Sequence, residues 1–107
     1  MTVIEDQVFT ALADANRRQL LSRLAQSSPK TATELAREFP ISRQGIMKHL
    51  ERLSSAGLVQ IQTSGREKLY VFEPHSLHAV STWIEMVEKY WDQRLQSLKD
   101  LVEGDSF

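Results

Sequence analysis

Residues 31–70 read TATELAREFPISRQGIMKHLERLSSAGLVQIQTSGREKLY, and their punctuation divides them into two short helices, a turn and a hairpin. Thr31 followed by Glu34 is a capping box, in which the hydroxyl accepts from the N–H three residues on and the carboxylate reaches back to the first amide. Leu35 and Ala36 then face inward. Pro40 disfavours helical geometry at Phe39 and closes this helix, and Ser42 offers its hydroxyl as the next N-cap. Ile41 and Ile46 flank that cap as a hydrophobic staple, which fixes the angle at which the second helix leaves the turn. Ile46, Leu50 and Leu53 recur at spacings of four and three, so one face of the second helix enters a core, while Gln44, Lys48, Glu51 and Ser55 occupy the other. Gly57 stops the helix, which gives a span of about residues 42–56 and a length of about 22 Å.

A β-prone run over 58–63, a Ser64-Gly65 turn and a returning strand over 68–72 complete the stretch. Two helices, a tight turn and a hairpin make a winged helix-turn-helix, whose second helix suits a DNA major groove and whose hairpin reaches the backbone beside it. The fold expected is mainly α with one small β-hairpin. Ser42, Arg43 and Gln44 stand in the exposed first turn of the second helix, where they can bind phosphates or read purine edges, with Lys48 one turn on. Arg43 and Gln44 are expected to read bases, Ser42 and Lys48 to hold phosphates. Gly45 costs helix stability but lets the backbone approach a partner closely. His49 flanks the core face and can bond either a phosphate or a neighbouring turn. Arg66 at the hairpin tip, with Lys68 beside it, is the expected wing contact.

These features together resemble the ArsR family of bacterial winged-helix repressors: FTALADANRRQLL at 9–21, TELA at 33–36, SRQGIMKHLERLSSAGLV at 42–59 and GREKLY at 65–70. The resemblance spans nearly the whole chain. It implies a dimeric transcriptional regulator that usually represses, often its own operon. It also assigns Ser42, Arg43, Gln44, Met47, Lys48 and His49 to the family's recognition helix and Arg66 to its wing. Met47 stands where the family commonly has a small polar residue.

At 107 residues the chain is long enough for one small domain, 1–107, without a second core. The net charge of −1 looks wrong for a DNA-binding protein, but its distribution does not. Residues 1–41 balance to 0, residues 42–70 to +3 and residues 71–107 to −4, so positive charge gathers on the expected recognition helix and wing. There is no cysteine, which excludes disulfides, thiolate metal sites and a thiol nucleophile, and fits a reducing cytoplasm. No signal peptide or membrane-spanning segment is expected, since acidic Glu5 and Asp6 stand near the start and no apolar run is long enough.

Two helices precede the motif. The first, about 4–13, turns Val8, Phe9 and Leu12 inward, and Asp14 caps the second, where Leu20, Leu21 and Leu24 recur at helical spacing. Arg17 and Arg18 lie in the second helix's first turn, unfavourably for its dipole, and are candidates for phosphate or acidic partners. From Pro74 to about Glu103 neither glycine nor proline interrupts the sequence, which reads as one long helix. Val80, Ile84, Val87, Trp91, Leu95, Leu98 and Val102 form an apolar stripe on it, broadened by Trp83 and Tyr90. The surplus is expected to be a homodimer interface shared with the first helix, Val8 included, so that 1–14 and 74–103 serve dimerisation. Two-fold symmetry then implies a palindromic operator with half-sites about 34 Å apart. Residues 104–107 read as a frayed tail.

Other chemistry finds little support. His75 and His78, with Glu73, are the one metal candidate, and a two-histidine pair is more often a solvated helix start. No cofactor is expected. No serine elbow, glycine-rich phosphate loop or paired acid and base occurs, so the chain does not read as an enzyme. Double-stranded DNA is the expected partner, with no membrane, and a small-molecule effector is left open. The alternative is a winged-helix module that docks proteins through the same basic helix without specific DNA binding.

Overall fold

The computed structural model describes residues 3–104. Five helices and one hairpin follow in order: α1 (Val3–Leu12), α2 (Ala15–Gln26), α3 (Ala32–Glu38), α4 (Arg43–Ser55), β1 (Val59–Ser64), β2 (Glu67–Phe72) and α5 (His78–Gly104). Leu20, Leu24, Leu35, Ile46, Leu50, Leu53 and Leu58 are all at most 1% exposed, and they bind the first four helices to the base of the hairpin. The local signals hold. Thr31 and Glu34 form the reciprocal capping box, Asp14 Oδ2 accepts from the Arg17 N–H at 2.9 Å, and Ser42 Oγ accepts from the Gly45 N–H at 3.1 Å.

The end of α4 shows why Gly57 stands where it does. The Leu58 N–H donates to the Leu53 carbonyl and the Gly57 N–H to that of Ser54, the paired bonds of a Schellman motif. The motif requires a left-handed residue, and Gly57 has φ +76°. A Cβ there would also lie 2.5 Å from Ser76 Oγ. At the hairpin tip Gly65, φ +63°, takes the first place in a two-residue loop, the place a type II′ turn reserves for glycine.

The hairpin is fastened at its base by residues 28–30. Lys30 and Tyr70 exchange two backbone hydrogen bonds, of 3.1 and 2.8 Å, so Lys30 acts as one residue of a third strand. Ser28 Oγ donates to the Leu24 carbonyl and accepts from the Phe72 N–H. Beyond this anchor the strands lie in solvent. The wing is therefore an arm held rigidly at its root beside α4.

Three expectations change. Arg17 and Arg18 turn back rather than outward: Arg17 Nε donates to the Ala11 carbonyl at 2.7 Å, Arg17 Nη2 to that of Thr10 at 3.0 Å, and Arg18 Nη1 to that of Leu12 at 2.7 Å. They neutralise the orphan carbonyls at the C-terminus of α1, which offsets their poor position in the α2 dipole. Val8 is 0% exposed inside its own protomer, because its side of α1 closes the core, and so it has no surface to offer a partner. The helix expected from Pro74 begins instead as a 3₁₀ turn, His75–Leu77, before α5. The tail beyond Gly104 lies outside the described residues.

Helix α5 leaves the body. The molecule measures 75 × 27 × 20 Å, with a radius of gyration of 19.9 Å against about 13 Å for a compact chain of this length. Val80 is half-buried against the core, and Phe9 of α1 meets Trp83 edge to face at 5.7 Å. From there outward the stripe is uncovered, with Ile84, Val87, Trp91, Leu95 and Leu98 between 42% and 56% exposed. No helix among the described residues is long and apolar enough to cross a membrane.

Candidate nucleic-acid interface

Helix α4 turns about 100° per residue, and burial of Ile46, Leu50 and Leu53 fixes where its other side chains stand. Gln44, Lys48, Glu51 and Ser55 are directed away from that buried face. At about 20 Å long the helix fits a major groove about 12 Å wide. Its first turn carries no acidic residue, and the Ser42 hydroxyl that caps it still has its own proton to donate.

Gly45 is enclosed. A Cβ at this position would come within 2.9 Å of the Ile41 side chain and 3.2 Å of Ser42 Oγ, so glycine makes room for the residue before the cap. Its reason is thus within the protomer, where the sequence had suggested close approach to a partner.

Clefts lie on either side of α4. On the wing side Arg43 and Met47 come together with Arg66 and Lys68 of the hairpin and with Arg37 of α3. Met47 packs half-buried against the core, so it forms a wall of this cleft rather than a tip that reaches bases. Tyr70 lines the cleft at 3% exposure. Desolvation raises its pKa, helped by the charge of Glu51 and opposed by that of Arg43.

On the far side Lys48 and His49 meet Arg17, Glu51, Arg52 and Ser55. His49 Nδ1 lies 3.9 Å from Asp14 Oδ2, and its side chain is 21% exposed. Of the two roles open to it, contact with the neighbouring turn is the one the geometry favours. The Asp14 carboxyl is held below the usual carboxylate range, first by the Arg17 N–H that it caps, and further by the charges of Arg17 and His49.

The cations divide sharply. Of the ten lysines and arginines outside α5, four are engaged within the protein: Arg17 and Arg18 on the α1 carbonyls, Arg23 and Lys30 on Glu38. The other six, Arg37, Arg43, Lys48, Arg52, Arg66 and Lys68, form no hydrogen bond or ion pair through their side chains among the described residues. All six border the clefts beside α4. Arg37 and Arg52 were not among the expected contacts. The signal for Arg37 was that it and Arg43 straddle the turn at Pro40, which returns the chain on itself.

The metal candidate gains no third ligand. The His75 and His78 rings meet edge to face at 6.1 Å, while Glu73 accepts from the His75 N–H and from the Gln60 side chain. Among the described residues no three histidine or carboxylate groups gather to hold an ion.

Residues 12–62 match the family model described as a helix-turn-helix domain. The chain is 33% identical over 100 residues to the HTH-type transcriptional regulator Rv2034 of Mycobacterium tuberculosis, covering 94% of this chain and 90% of that protein. Among solved structures, an ArsR-like transcriptional regulator from Rhodococcus sp. RHA1 superposes with TM-score 0.79 at 35% identity, covering 92% of each chain. The homodimeric winged helix-turn-helix DNA-binding domain of Mb0332 from Mycobacterium bovis shares the fold, with TM-score 0.63 at 24% identity over 78% of this chain and 77% of that one.

Proposed function

Because the chain belongs to the ArsR family of winged helix-turn-helix transcriptional regulators, we propose that it acts as a homodimeric repressor. It seats two copies of α4 in successive major grooves of a palindromic operator, its own promoter among the targets, and represses by occluding the promoter. The observation that carries this reading is the partition of cations. Among the described residues, every lysine or arginine of the body without an internal partner borders α4, where phosphate contacts can draw on it. The bare apolar stripe of α5 supports the dimer, as does the homodimeric state of the Mycobacterium bovis domain with the same fold. In this reading Gln44 reads a base edge, Ser42 and Lys48 hold phosphates, and Arg66 anchors the wing. Any switch works without a thiolate, since the sequence contains no cysteine.

Substitution separates these roles. Gln44→Ala is expected to relax preference at one base position by about 1–3 kcal/mol while leaving binding to unrelated duplexes intact. Lys48→Ala is expected to weaken binding to all duplexes alike and to flatten the salt dependence by about 0.9 for each phosphate that the lysine neutralises. Fluorescence anisotropy against matched and scrambled duplexes, at several salt concentrations, reads both. Equal binding of matched and scrambled DNA by the unsubstituted protein would overturn the proposal.

A further inference from the structure

With α4 in a major groove and the wing tip at the adjacent minor groove, one sugar-phosphate strand separates the two elements, and it must pass through the cleft between them. This step rests on the DNA-binding reading above. We propose that the cleft is a phosphate channel in which Arg37 and Arg43 clamp that strand, with Arg37 a positioning residue that fixes the register of the duplex without reading its sequence.

Four cations, Arg37, Arg43, Arg66 and Lys68, line the cleft against two carboxylates, Glu34 and Glu67. Glu34 is drawn back to the Thr31 N–H at 3.1 Å by the capping box. Glu67 pairs with Ser64 at the first rung below the tip. The walls include Met47, packed on the core, and the buried Tyr70, and across the cleft the four guanidinium and ammonium groups outnumber the two carboxylates. Planar guanidinium groups suit phosphate because they can donate two parallel hydrogen bonds. Arg37 projects from α3, which enters neither groove in this arrangement. Arg43 faces the same cleft rather than the outermost face of α4, which moves it from the expected base contact to a backbone contact.

The test uses a duplex selected from a random pool by the unsubstituted protein, and the slope of log affinity against log salt concentration. Arg37→Gln is expected to reduce the slope by about 0.9 per protomer, about 1.8 for a dimer, with discrimination between selected and scrambled duplex unchanged. Arg37→Lys is expected to keep the slope. Lys89→Gln, an exposed change on α5 away from both clefts, is expected to leave it unaltered. An unchanged slope for Arg37→Gln, or an equal fall for Lys89→Gln, would overturn the channel while the DNA-binding reading stands. Failure of the unsubstituted protein to select any duplex would overturn both.

Discussion

Replacing Leu95 and Leu98 together with glutamate is expected to separate the proposed dimer into monomers and to lower affinity for a palindromic duplex by about 10²–10⁴-fold, the gain that linked binding supplies. Both side chains are 45% exposed on the part of α5 that stands away from the body. Each contributes about 1.5–3 kcal/mol when fully buried, and burying glutamate in its place leaves a carboxylate without a partner. The two α4 helices then lose their fixed separation, so a second half-site binds no more tightly than an unconnected one. Sedimentation equilibrium and anisotropy check the two consequences together. A variant that stays dimeric at micromolar concentration would place the interface elsewhere.

Leu50→Ala is expected to destabilise the fold by about 2.7–5 kcal/mol, the range for emptying a leucine site in a packed core. Each kcal/mol lowers Tm by about 4–8 °C in a domain of 60–100 residues. Leu50 is 0% exposed and sits midway along α4 between Ile46 and Leu53, both also 0% exposed, so the cavity opens under the helix that must be held rigid against DNA. Loss of DNA affinity should accompany the fall in Tm. Ser55→Ala, on the exposed face of the same helix, is expected to change stability by no more than about 0.5 kcal/mol. Circular-dichroism melts of both variants decide it, and comparable Tm values would contradict the assigned core.

The parts of the fold written in short-range chemistry were legible in the residues alone. Thr31 with Glu34, Ser42 with its staple, and Gly57 each act within about one helical turn, so sequence neighbours specify them. What the sequence concealed depends on residues far apart in the chain or in unforeseen directions. Arg17 and Arg18 looked available because their acceptors, the α1 carbonyls, are set by the angle between α1 and α2. Lys30 drew no expectation, because its place at the wing's root comes from pairing with Tyr70, far along the chain. Val8 shares apolar character with the α5 stripe, and only the closure of the core by α1 separates the two. In the sequence Arg37 is one more charged residue of a short helix, with no motif to single it out. It becomes a candidate only once the wing is seen to close a cleft over it.

If two copies of α4 read one duplex in register, selection from a random DNA pool followed by sequencing will enrich a palindrome whose half-sites are centred about 10 base pairs apart, one helical turn. A pool that shows no sequence enrichment, or only isolated half-sites without a fixed spacing, would contradict it.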